Sequence, residues 1–78
     1  MLQKEKFLKL LGAHIKEVRV AKGMTQRELA AKIDKEETAL QRIERGATNP
    51  TAFTLYELSE GLGVEPNELL KLKASNKK

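Results

Sequence analysis

Between Lys4 and Lys22 the apolar positions Phe7, Leu11, Ile15 and Val18 recur three or four residues apart, with charged residues between them. That spacing lines one face of an α-helix, and Gly23 follows as a residue suited to closing it. Thr25 and Glu28 form a capping-box pair, the hydroxyl accepting from the backbone three residues on while the glutamate reaches back. The pair predicts a short second helix that turns Leu29, Ala30 and Ile33 inward and ends near Ile33. Asp34 suits a left-handed turn position, and Glu36 and Glu37 put negative charge at the positive end of a third helix. Leu40 and Ile43 supply the buried stripe of that helix, which closes at Arg45-Gly46. After the loop 47–50, Thr51 caps a fourth helix carrying Phe53 or Ala52 with Leu55, Leu58 and Leu62, and Gly61 and Gly63 end it. Glu65-Pro66 opens a fifth helix with Leu69, Leu70 and Leu72 on its apolar side. The pattern contains no strand signal, internal repeat or low-complexity run, so it predicts a compact all-α, five-helix architecture.

Composition limits how this architecture can be stabilised. Apolar residues are 40% and charged ones 33% of 78, too apolar for disorder and too interrupted for a membrane span. A single domain over 1–73 is expected, followed by a disordered basic tail at 74–78. Chains below about 80 residues usually add disulfides, a metal or a second subunit. The chain has no cysteine and one histidine, His14, so neither a disulfide nor a four-ligand zinc site can be built. Tight helical packing or dimerisation remains. The opening residues contain no apolar run of signal length, and a cytoplasmic location is expected, with no membrane association.

Charge is unevenly placed. Residues 1–24 carry Lys4, Lys6, Lys9, Lys16, Arg19 and Lys22 against Glu5 and Glu17. Residues 25–46 balance, whereas 47–70 hold only Glu57, Glu60, Glu65 and Glu68 before a lysine-rich end. A basic end attracts phosphate and an acidic end is turned from it. No nucleophile–base–acid set or metal cluster emerges, and Gly61-Leu62-Gly63 lacks the preceding strand of a dinucleotide loop. His14 has no acid or thiol at ligand spacing and reads as a surface or boundary residue. No enzymatic activity, cofactor or metal is expected.

The capped second helix, short turn and third helix, spanning about 25–45, make a helix-turn-helix, in which the second member can enter the major groove while the first crosses the backbone. Gly23-Met24-Thr25-Gln26-Arg27-Glu28-Leu29-Ala30, Leu40-Gln41-Arg42-Ile43-Glu44-Arg45-Gly46, Asn49-Pro50-Thr51, Leu55, Leu58 and Leu62-Gly63-Val64 closely resemble the phage repressor and Cro proteins, or Xre family. The resemblance covers roughly residues 11–70. It implies a lambda-repressor-like domain that binds operator DNA, usually as a dimer, and regulates transcription.

By the same resemblance, Glu37, Thr38 and Arg42 occupy base-reading positions, with Glu36, Ala39 and Gln41 near them. Thr25, Gln26 and Arg45 match positions that hold the DNA backbone, and Arg19 with Glu44 matches an ion pair joining the first and third helices. Their chemistry suits these roles: Arg42 can bond guanine O6 and N7, Thr38 offers a hydroxyl or methyl, and Glu37 can accept from cytosine N4–H. Lys35 departs from the usual apolar residue, and its amine can reach solvent or phosphate. Asp34 replaces the commoner glycine.

These features imply a regulator that binds double-stranded DNA as a homodimer, of restriction-modification controller or phage/plasmid repressor type. Leu69, Leu70 and Leu72 are candidates for the dimer contact, with closure of the monomer core as their other role. The alternative is a protein-interaction module of the same fold, antitoxin-like or coactivator-like, whose protein partner binds the acidic fourth and fifth helices.

Overall fold

The computed structural model describes residues 3–72; the basic tail expected at 74–78 lies outside the described residues. Four α-helices follow one another: α1 (Lys4–Ala21), α2 (Gln26–Lys32), α3 (Glu37–Arg45) and α4 (Ala52–Leu62), before a 3₁₀ turn at Pro66–Leu70. No strand occurs among the described residues.

Local chemistry sets the helix boundaries. Thr25 Oγ1 accepts from the Glu28 N–H at 3.0 Å and Glu28 Oε1 accepts from the Thr25 N–H at 2.9 Å, so two otherwise unpaired donors at the start of α2 are satisfied. Thr51 likewise accepts from the Thr54 N–H at 3.1 Å and opens α4. Asp34 takes φ +58°, and the next residue, Lys35, donates its N–H to the Ala30 carbonyl at 2.9 Å, which closes α2. Gly46 has φ +79°, and Ala47 donates to Arg42 O in the same manner at the end of α3.

The core joins Leu11 and Ile15 of α1, Leu29 and Ala30 of α2, Leu40 and Ile43 of α3, and Leu58 and Leu62 of α4, with Leu69 and Leu72 closing one end. Burying a leucine or isoleucine side chain fully is worth about 1.5–3 kcal/mol. No helix among the described residues is long and apolar enough to cross a membrane.

Three expectations about this half of the chain are corrected. The last element is not an α-helix but a five-residue 3₁₀ turn, its bond running from the Glu68 N–H to Glu65 O at 2.9 Å. Three residues per turn keep Leu69 and Leu72 on one side, both buried, and leave Leu70 52% exposed. Phe53 is also outside, at 65% exposure, because Leu58, Ser59 and Leu62 form the buried side of α4. Gly61 does not end α4 but lies within it, where a Cβ would stand 2.7 Å from Ile33 Cγ2 and 2.8 Å from Leu29 Cδ1. Its missing side chain lets α4 close on α2.

Gly12 does the same for α1 and α3. A Cβ there would collide with the backbone carbonyls of Ile43 and Glu44, and backbone cannot rotate away as a side chain can. Gly12→Ala is therefore expected to lower unfolding free energy by about 1–3 kcal/mol, the usual range for overpacking. Urea denaturation should show a lower midpoint with an unchanged slope.

Candidate nucleic-acid interface

The helix-turn-helix is held from behind by a buried polar knot. Arg19 on α1 donates from Nε to Glu44 Oε2 at 2.7 Å and from Nη2 to Glu44 Oε1 at 3.0 Å. A third bond runs from Arg19 Nη1 to the Met24 carbonyl at 2.7 Å, and Gln26 Nε2 donates to Glu44 Oε1 at 2.9 Å. The two charged side chains are only 8% and 3% exposed. Four hydrogen bonds thus tie α1, the loop before α2, α2 and α3 into one frame, and the fork of Arg19 fixes direction as well as distance. Gln26, expected at the DNA backbone, has one amide hydrogen in this knot and a second left for another acceptor.

With Leu40, Ile43 and Glu44 facing inward, α3 turns Thr38, Gln41, Arg42 and Arg45 outward. These four follow the three- and four-residue steps of one helical stripe. Glu37 stands at the stripe's N-terminal edge, 40% exposed, with Oε1 3.8 Å from Nε of Arg27 on α2. Thr25 is exposed but its oxygen is engaged in the cap. Lys35, expected at solvent or phosphate, lies instead 3.0 Å from Glu57 Oε1 of α4. Glu57 Oε1 has no aligned hydrogen-bond donor, so this contact is Coulombic.

Two cations escaped the sequence reading. Lys16 lines a shallow cleft with Gln26, Gln41, Glu44 and Arg45, one helical turn before Arg19. Its place in the α1 pattern was the available signal. Arg27 is 86% exposed beside the start of α3; the capping motif placed it on α2 without showing what it faces.

The remaining candidates lie elsewhere. Leu69 and Leu72 fill the monomer core, at 0% and 3% exposure, and of the three leucines only Leu70 is open to a partner. His14 is a boundary residue whose Nε2 lies 2.7 Å from the Glu68 carbonyl. A carbonyl only accepts, so Nε2 carries the hydrogen and pins the 3₁₀ turn to α1. Phe53 and Tyr56 stack on the outer face of α4, ring centroids 5.9 Å apart. The Tyr56 phenol donates to Glu60 Oε2 at 2.8 Å, and that bond, with the carboxylate's charge, raises its pKa above the ordinary value of 10.0.

The helix-turn-helix family profile matches residues 15–69, from the middle of α1 through most of the 3₁₀ turn. The chain belongs to the helix-turn-helix family. It is 44% identical over 62 residues to the uncharacterized HTH-type transcriptional regulator y4dJ of Sinorhizobium fredii, covering 80% of each chain. It is 36% identical over 62 residues to the control protein C.BamHI of Bacillus amyloliquefaciens, covering 78% of this chain and 76% of that one. The crystal structure of the restriction-modification controller protein C.AhdI from Aeromonas hydrophila superposes with a TM-score of 0.77 at 31% identity, covering 82% of this chain and 96% of that chain.

In this helix-turn-helix protein, removing one partner of the knot leaves the other buried and unpaired. Glu44→Ala and Arg19→Ala should each cost about 3–5 kcal/mol, whereas replacing both by apolar residues of similar volume should recover much of that loss. Melting curves of the two single variants and the double replacement test this; additive losses would contradict it.

Proposed function

We propose that this protein is a sequence-specific DNA-binding transcriptional regulator acting as a homodimer in the cytoplasm. Each α3 enters the major groove of one half-site, with half-site centres about 34 Å apart. The observation that carries this reading is the outward stripe of Thr38, Gln41, Arg42 and Arg45 on a helix locked from behind by Arg19 and Glu44. Arg42 reads guanine, Gln41 and Thr38 read neighbouring edges, and Glu37 reads from the end of the stripe. Arg45, Thr25 and the free amide hydrogen of Gln26 hold phosphates, joined by Lys16 from α1. The control protein and controller protein among its relatives favour a restriction-modification controller over a phage- or plasmid-type repressor.

The stacked, exposed Phe53 and Tyr56 favour a second reading beside the first. An aromatic pair flanked by Glu57 and Glu60 suits a protein partner of the antitoxin-like or coactivator-like kind, and engaging it does not require α3.

Selection of bound sequences from a random duplex library at about 150 mM salt tests the DNA reading, since specific readers stand roughly 10³- to 10⁷-fold above their nonspecific binding. An inverted repeat spaced by one turn is expected. Arg42→Ala should lose about 1–3 kcal/mol and relax one base position, while Lys71→Ala should change little. Equal losses from the two would remove Arg42 as a reader, and a folded monomer that enriches no sequence would favour the protein-partner reading.

A further inference from the structure

We infer that Glu37 selects cytosine at one position of each half-site and that Arg27, its partner in the free protein, transfers to a phosphate when the carboxylate turns to the base. This rests on the reading of α3 as the element in the major groove. A carboxylate only accepts hydrogen bonds. Guanine N7 and O6, adenine N7 and thymine O4 are acceptors too, leaving cytosine N4–H and adenine N6–H as donors. On adenine the N6 donor lies beside the N7 lone pair, which repels the second carboxylate oxygen; on cytosine the neighbour is C5–H. Cytosine is therefore the base that takes this charge without opposition, and every other base leaves it facing an acceptor.

Arg27 makes such a residue tolerable next to DNA. Its Nε lies 3.8 Å from Glu37 Oε1, beyond hydrogen-bond length, and its side chain is 86% exposed. A loose pair screened by solvent is given up easily. The groove between α2 and the start of α3 also contains Asp34, Lys35, Glu36 and Glu37. Since Lys35 is paired with Glu57, Arg27 is the cation placed to offset the carboxylates there as phosphates approach. In this docking α2 lies along the sugar-phosphate backbone, where a guanidinium fork has a better partner than a carboxylate 3.8 Å away.

The experiment runs the library selection on the wild-type chain, Glu37→Gln and Arg27→Ala, then measures salt dependence on the selected operator, with melting curves establishing that each variant is folded. Wild type should enrich cytosine at one position per half-site. Glu37→Gln should move that position to adenine, whose N6 and N7 suit an amide, with a roughly 5- to 150-fold fall in the preference for cytosine. Arg27→Ala should keep cytosine, weaken all sequences alike and lower the salt slope by about 0.9. Retained cytosine preference in Glu37→Gln overturns the selection by Glu37, and an unchanged slope in Arg27→Ala overturns the phosphate transfer. A folded wild type that enriches no sequence removes the docked geometry itself, an outcome distinct from failure of either variant.

Discussion

The Arg19–Glu44 pair is the contact on which the arrangement of the interface depends. A carboxylate at the back of α3 would be costly to bury alone, and its fork-to-fork bonding with an arginine from α1 satisfies both groups. Apolar contacts slide, but two parallel bonds at 2.7 and 3.0 Å do not. Leu40 and Ile43 hold α3 against the core, while Arg19 and Gln26 set how it is rotated about its own axis. That rotation decides which side chains face outward.

Around this fixed point, close backbone packing does the rest. The side-chain-free surfaces of Gly12 and Gly61 bring α1 onto α3 and α4 onto α2. A small domain without disulfides has few other ways to gain packing density. Closure by Leu69 and Leu72 completes the core from the chain's far end, and the His14 bond to the Glu68 carbonyl holds that closure to α1.

Features determined within a few residues were legible in the sequence. The Thr25 capping box, the left-handed Asp34 and the ends of α1, α2 and α3 all follow from neighbours along the chain. Contacts between distant residues were not. Gln26 and Glu44 are 18 positions apart, and nothing in the local pattern distinguishes an amide reaching for phosphate from one bonded to a buried carboxylate. Lys35 illustrates the same limit, its partner Glu57 lying on another helix. Gly61 read as punctuation because glycine ends helices and also permits close approach, and only the position of α2 separates the two. Phe53 read as core because aromatic residues usually are, whereas Leu58, Ser59 and Leu62 had already taken the inward face. The Arg19–Glu44 contact was anticipated through the family resemblance rather than from spacing.

The two sides of α3 answer to different demands. Leu40, Ile43 and Glu44 are bound to the rest of the molecule, whereas Thr38, Gln41, Arg42 and Arg45 are exposed. Exchanges at such exposed positions usually alter stability by no more than about 0.5 kcal/mol. The outer stripe is thus interchangeable on a constant frame, and a lineage carrying this domain can acquire a new target through a handful of substitutions without ever passing through an unfolded intermediate.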